Sequence, residues 1–516
     1  MLFKNLLEPT AIAFPDHEAL VHKSERVTYQ RLYRDACSLA AFLTNNGWVS
    51  SGDRVVLLME NCPDYVVSYW GILGAGGIVV PVNPKISFHE LQDLILDSGA
   101  TGLICQSSLR IASKPDKPKM EVDFLIVTGP MSDSMKTFTT QPISMNECLK
   151  TSWTHFTPVD RITDDIAQIL YTSGTTGKPK GVMLSHGNLW ANTESIATYL
   201  QLTSQDRVEV ILPFYYSYGN SILLTHVRVG GTLVLSDQFV FLSKVLSQMN
   251  REKVTGISGV PSSYALLTTQ SKFLDIPCDS LRYMTSAGGA LSQTMTKQLR
   301  AAFPTIELYV MYGLTEASAR LSYLPPDILE KKMGSVGRGM PGVNLQVLNE
   351  RGERVSPGET GEIVAQGACV MKGYWNNPVE TQKVLKHGKL YTGDLATLDE
   401  EGYIFILGRK DNMIKYGSYR IYPSQIEEVL NRYPGVKETA VLGMADEVMG
   451  EVIVAFVVKD KERDIHETAI LQIAKHFLPA YKLPQKILFI DHLPKTSSGK
   501  IKYGDIIPTF GASLVS

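Results

Sequence analysis

Apolar runs of strand length alternate with stretches whose apolar residues recur at helical spacing through most of the chain. Arg54–Met59, Gly102–Cys105, Ile166–Tyr171, Val208–Leu212, Thr232–Leu235, Leu281–Thr285 and Ile306–Met311 read as strands. Leu91–Leu96, Leu189–Leu200 and Leu291–Ala302 read as helices between them. This alternation predicts an α/β architecture of largely parallel sheets with helices on their faces, in which ligands bind beyond the carboxyl ends of strands. After Gly408 the texture changes. A helix over Pro423–Arg432 precedes two apolar strands, Thr439–Met444 and Val452–Lys459, then a helix over Glu467–Phe477 and a strand over Lys486–Ile490. That is the pattern of a small α+β domain. The expected division is a large domain over residues 1–407, a hinge over 408–411 and a small domain over 412–516.

The segment Tyr65–Pro84 carries no charge, but Gly74, Gly76 and Gly77 interrupt it and Pro81 and Pro84 close it. A buried helix over Tyr65–Leu73 turning into a strand over Gly77–Val80 is expected there, not a membrane span. The first residues lack the continuous apolar stretch of a signal peptide. At 516 residues the chain exceeds what one core serves, which agrees with two domains. A net charge of −2 offers no basic field to a polyanion, so nucleic acid is not an expected partner. Cys37, Cys62, Cys105, Cys148, Cys278 and Cys369 form no CxxC pair and no Cys/His cluster. They read as free thiols of a reducing, cytoplasmic compartment.

The strongest chemical signal is Tyr171 to Gly181, YTSGTTGKPKG, directly after an apolar strand. Gly174 and Gly177 allow backbone N–H groups to approach a polyphosphate. Thr172, Ser173, Thr175 and Thr176 add hydroxyls, and Lys178 and Lys180 add charge. The glycine spacing is not that of a Walker A loop.

This loop resembles the phosphate-binding signature of the AMP-forming acyl-CoA synthetases, the superfamily that also holds peptide-synthetase adenylation domains and firefly luciferase. Further stretches resemble the family's elements in order: SAGGA from Ser286, YGLTE from Tyr312, GSVGRG from Gly334, GYWN from Gly373, YTGD from Tyr391, GRKD from Gly408 and PKTSSGK ending at Lys500. The resemblance implies ATP-dependent activation of a carboxylic acid to an acyl-adenylate, followed by transfer to a thiol. It assigns Mg²⁺ to Glu316, a phosphate oxygen to Thr315 and the adenine to Tyr312 and Gly313, with Gly288, Gly289 and Ala290 leaving room for the base. Asp394 is expected at the ribose hydroxyls with Arg409 as its companion, and Lys500 between the acid carboxylate and the α-phosphate. Asp411 matches the family's pivot, about which the small domain presents first Lys500 and then the Lys415–Arg420 segment, with Lys415, Gly417 and Ser418 at the thiol passage.

Two departures bear on substrates. The family usually has glycine at the position of Ser418; here it stands one residue earlier, at Gly417. Tyr216 occupies a place where acyl- and aryl-CoA ligases often carry histidine. No acid occurs from Pro213 to Asn220 to pair with an ammonium group, and burying one unpaired is costly, which favours an acyl chain over an α-amino acid. Tyr216, Tyr218, Asn220, Ser286 and Met311 are the expected acyl-pocket residues. The leading acceptor is free CoA, and the rival is the phosphopantetheine of a separate carrier protein. A luciferase-like oxygenase and a nucleotide-binding pseudoenzyme are the remaining alternatives.

Overall fold

The computed structural model describes residues 1–108, 121–130, 140–172, 179–236, 242–275, 279–417, 419–446, 449–460, 463, 465–495 and 501–510. The chain separates into two compact units. The first comprises Met1–Lys331, Gly339–Asn344 and Ala365–Leu390; the second comprises Lys332–Arg338, Leu345–Val364 and Tyr391–Ser516. The segment 408–411 therefore lies inside the second unit, spanning the end of the strand Ile404–Arg409 and the start of the 3₁₀ turn Lys410–Asn412.

The first unit holds two large sheets. In one, the strands Pro142–Ser144, Phe124–Thr128, Gly102–Gln106, Arg54–Leu58, Ile78–Pro81 and Ile166–Thr172 run parallel, in that spatial order. Lys180–Ser185 then pairs antiparallel with Ile166–Thr172, and Gly373–Tyr374 closes the edge. In the other, Glu18–His22, Thr232–Leu235, Arg207–Val210, Gly256–Gly259, Tyr283–Ser286 and Glu307–Tyr312 are parallel neighbours. Glu25–Thr28 pairs antiparallel with Glu18–His22 at one edge, and Ser322–Leu324 pairs antiparallel with Glu307–Tyr312 toward the other. Strands buried on both faces explain why the apolar runs were continuous instead of alternating.

Helix starts follow their caps. The helix expected from Leu189 begins at His186, because Ser185 and Asn188 form a reciprocal capping box. The helix expected from Leu291 begins at Gln293, after Ser292 accepts from Met295 N. The uncharged segment forms the buried helix Pro63–Gly74 and the strand Ile78–Pro81. No described helix is long and apolar enough to cross a membrane.

The C-terminal sheet of the second unit has the order Tyr419–Ile421, Ile414–Tyr416, Gly450–Lys459, Val436–Asp446, with Lys486–Ile490 pairing parallel to Gly450–Lys459. Its central strand alternates. Ile453, Ala455 and Val457 face Ile426 and Ile470 of the helices Pro423–Leu430 and Glu467–Phe477, and Val454, Phe456 and Val458 face Ile506 of the helix Tyr503–Phe510. Both faces are thereby covered.

Candidate active site

The expected phosphate loop joins two antiparallel strands whose last register pair is Thr172 with Lys180. Ser173, Gly174, Thr175, Thr176, Gly177 and Lys178 lie outside the described residues. Lys180 is engaged at the base of the loop. Its Nζ forms a 2.5 Å ion pair with Glu380 and stands 5.3 Å over the Tyr374 ring. The hydrogen bond from Lys180, followed by that from Lys383, holds the Glu380 carboxyl down at about 2.

The strand Glu307–Tyr312 ends in a tight turn that carries Glu316. A Cβ on Gly313 would stand 1.9 Å from Ala319 O, so only glycine lets the chain fold back here. Thr315, Glu316 and Ala317 form a single 3₁₀ turn, after which Ser318 takes a φ of +66°. That conformation costs a non-glycine residue about 1–3 kcal/mol, and neighbouring contacts hold it. Ser318 Oγ donates to Cys369 O at 2.7 Å, Asn192 Nδ2 donates to Arg320 O at 2.9 Å, and Met371 N donates to Glu316 O at 2.9 Å. Tyr374 Oη donates to Glu316 Oε1 at 2.8 Å; among the described residues Oε2 accepts no hydrogen bond. Thr315 Oγ1 lies 3.3 Å from Ser217 Oγ, at the start of the helix Ser217–Val229. Tyr312 is buried at the strand end, and Gly289 and Ala290 are exposed just beyond the strand Tyr283–Ser286.

The five expected acyl-pocket residues separate into groups. Tyr218 and Met311 share neighbours: Tyr199 Oη donates to Met311 Sδ at 3.0 Å and accepts from Arg320 Nη1 at 2.8 Å, and Arg320 lies 5.0 Å over the Tyr218 ring. Tyr218 Oη is 2.7 Å from Thr285 Oγ1. Tyr216 instead accepts from Asn83 Nδ2 at 3.4 Å, and Asn220 is buried beside Tyr69. Ser286 is buried, with an Oγ that has no hydrogen-bond partner among the described residues.

In the second unit Asp394 and Arg409 are register partners on adjacent strands, with Arg409 Nη1 3.2 Å from Asp394 Oδ1 and 3.1 Å from Thr392 O. Asp411 is exposed in the 3₁₀ turn Lys410–Asn412. Lys415 is exposed on the strand Ile414–Tyr416. Gly417 turns the following hairpin at a φ of +56°, which gives its position a backbone reason. Ser418 and Lys500 lie outside the described residues.

Sequence reading did not single out Tyr374, Glu380, Ser217 or Arg320 for a role. Tyr374 stands in the GYWN stretch, but its pairing with Glu316 spans 58 residues and leaves no local mark. Arg320 does leave one, as a lone charge between Ala319 and Leu321.

The donor set suits Mg²⁺ bound with a nucleotide. No group of three or more candidate His, Cys, Asp or Glu ligands occurs among the described residues, so no all-protein cage is present there. One carboxylate on a braced turn, with an oxygen left open, matches an ion that takes few protein ligands and completes its shell with phosphate and water.

Residues 7–375 match the AMP-binding enzyme family, and residues 425–500 match the AMP-binding enzyme C-terminal domain. A long-chain-fatty-acid–CoA ligase of Bacillus subtilis is 34% identical over 96% of this chain and 92% of its own length. A feruloyl-CoA synthase of an Amycolatopsis species is 32% identical over 96% of both chains. Among solved structures, the o-succinylbenzoate CoA synthetase MenE of Bacillus subtilis in complex with its acyl-adenylate intermediate is 30% identical, covers 97% of each chain and superposes with a TM-score of 0.85. The same enzyme with ATP and magnesium ion gives a TM-score of 0.83 over 96% of this chain and 98% of its own.

Proposed function

The chain belongs to the AMP-binding enzyme family and is an AMP-forming acyl-CoA ligase; from that premise we propose that its acid is a carboxylate without an α-ammonium group and that free CoA is its thiol. In the first half-reaction a carboxylate oxygen attacks the α-phosphorus of ATP, and the bond to pyrophosphate breaks. In the second the CoA thiol, losing its proton, attacks the acyl carbon, and the bond to AMP breaks.

The observation that carries the assignment of residues is Glu316, fixed at the end of a strand by Tyr374 and Met371. Mg²⁺ bound with ATP would neutralise phosphate charge, and Glu316 is the residue assigned to hold it. Thr315 is assigned a phosphate oxygen, and Thr172 and the loop through Lys178 the departing pyrophosphate. Lys180 is assigned a different task, anchoring that loop through Glu380. Tyr312, Gly313, Gly288, Gly289 and Ala290 are assigned the adenine. Asp394, an ionised acid suited to two hydroxyl donors, is assigned the ribose, with Arg409 holding it in place. Lys500 is assigned the charge that develops between carboxylate and α-phosphate. Asp411 is assigned the pivot that exchanges Lys500 for the Lys415–Arg420 segment, with Lys415, Gly417 and Ser418 at the thiol passage.

Neither Tyr216, Ser217, Tyr218 nor Asn220 supplies a carboxylate for an ammonium group, which supports an acid other than an α-amino acid. A reducing, cytoplasmic setting is proposed on the thiols: Cys37, Cys62, Cys105, Cys148 and Cys369 are free, and burial pushes each up to about 12. A carrier-protein acceptor is the second reading, suggested by the displaced glycine at Gly417. Offering the preformed acyl-adenylate to CoA and to a holo-carrier protein separates the two. Acyl-CoA as the main product supports the proposal, and faster loading of the carrier overturns it.

A further inference from the structure

Arg320 is fully buried, at 2% exposure, and makes no ion pair among the described residues. Among the described residues, the titratable groups that act on it most strongly are tyrosines, Tyr199, Tyr218 and Tyr283. Tyr199 accepts one hydrogen bond from Nη1, and the Tyr218 ring lies face-on beneath the guanidinium at 5.0 Å. Burial pushes the Tyr218 hydroxyl up to about 12 and raises those of Tyr199 and Tyr283, so all three remain neutral. His226, which also feels Arg320, is held down at about 4 by burial and is neutral as well. Asp206, a carboxylate acting on His226 and Tyr283, is committed to Arg282 at 3.0 Å. Arg320 Nε, enclosed by protein, has no hydrogen-bond partner among the described residues.

A buried cation without a counter-ion is expensive, and a cation–π contact with one neutral hydrogen bond offsets only part of that cost. The planar guanidinium fork matches a carboxylate in two-point contact. Its location ties it to the reaction. Tyr218, on which Arg320 stacks, directly follows Ser217, whose hydroxyl touches Thr315. Tyr199, which bonds Arg320, also bonds Met311. The cation thus adjoins Tyr218, one of the residues assigned to the acyl group, at the end of the contact chain Thr315–Ser217–Tyr218–Arg320.

We propose that Arg320 is the specificity residue for a second carboxylate at the far end of the substrate, so that the enzyme activates one carboxyl of a dicarboxylic acid and holds the other on the guanidinium. This rests on the acid–CoA ligase reading above and names its substrate class. The bound anion replaces the missing counter-ion of Arg320. A monocarboxylate of the same length leaves that charge unpaired beside an apolar chain end and is penalised accordingly.

The test uses the full-length enzyme with matched pairs: octanoate against octanedioate, decanoate against decanedioate, and phenylacetate against para-phenylenediacetate. Acid-dependent pyrophosphate release gives kcat/KM for each. The wild type is expected to favour the dicarboxylate of at least one pair by about 100-fold or more. Arg320→Met should remove that preference, mostly through KM, and leave the monocarboxylate equal or better; Arg320→Lys should restore part of it. A wild type that prefers the monocarboxylate of every pair overturns the proposal without any variant, and so does an Arg320→Met enzyme that slows both members equally. Failure of every acid in both series to release pyrophosphate overturns the ligase reading itself, and this inference with it.

Discussion

Tyr374 Oη donates a 2.8 Å hydrogen bond to Oε1 of Glu316, joining an edge strand to the turn that ends a strand of the other large sheet. The bond fixes the carboxylate assigned to Mg²⁺ through one oxygen, and among the described residues the second accepts no hydrogen bond. A hydrogen bond to a charged group is worth about 1.5–3 kcal/mol. Tyr374→Phe is therefore expected to lower kcat/KM for adenylation by roughly 10- to 100-fold and to raise the Mg²⁺ concentration needed for half-maximal rate. Pyrophosphate release across a Mg²⁺ series measures both; an unchanged Mg²⁺ dependence would remove Tyr374 from this role.

Lys500 is assigned to the developing charge of the first half-reaction. Its replacement by alanine is expected to slow acyl-adenylate formation by about 10²–10³, or 3–4 kcal/mol of barrier, with ATP binding retained. Single-turnover adenylation beside equilibrium ATP binding separates the two effects. Pyrophosphate release at the wild-type rate would contradict the assignment.

Asp411 is assigned the pivot, where backbone torsions must change between half-reactions. Asp411→Pro is expected to leave acyl-adenylate formation near wild type and to block thioester formation from preformed adenylate. Equal loss of both half-reactions would count against a pivot here.

Glu427 reports on the second unit. Its carboxyl is buried and accepts from Val441 N at 2.8 Å and Tyr503 Oη at 2.9 Å, and burial pushes it up to about 7. In acid both folded and unfolded chains hold this proton. Between the ordinary carboxylate range and about 7 only the folded chain holds it, so stability falls as pH rises across that window and then levels off. Glu427→Gln keeps the accepting oxygen and removes the charge. Melting of the second unit should match wild type in acid and occur at higher temperature than wild type above neutrality. A gap that does not change with pH would mean that Glu427 does not titrate as described.

Much of this fold was legible because parallel strands buried on both faces write continuous Val, Ile and Leu runs into the chain. The runs at Arg54, Gly102, Thr232 and Lys486 became strands within a residue or two of the expected ends. Side-chain partnerships were less legible, because their members come from distant elements. Lys180 sits beside a phosphate loop and reads as a phosphate ligand, yet its partner Glu380 is 200 residues away. Arg320 acquires its meaning from Tyr199, 121 residues earlier, and from the Tyr218 ring. Gly417 read as a displaced passage glycine, and its positive φ at the hairpin turn adds a backbone reason that favours glycine there. Local motifs carry the identity of chemical groups, and the fold decides which of them are already spoken for.

Product analysis of the purified enzyme with ATP, Mg²⁺ and a panel of mono- and dicarboxylic acids, first without and then with CoA, tests the two half-reactions together. Without CoA, pyrophosphate and an enzyme-bound acyl-AMP are expected, formed only when an acid is present. Addition of CoA should convert that species to acyl-CoA and free AMP in equal amounts. Formation of ADP and phosphate in place of AMP and pyrophosphate, or an acyl-AMP that CoA leaves untouched, would contradict the two-step reaction.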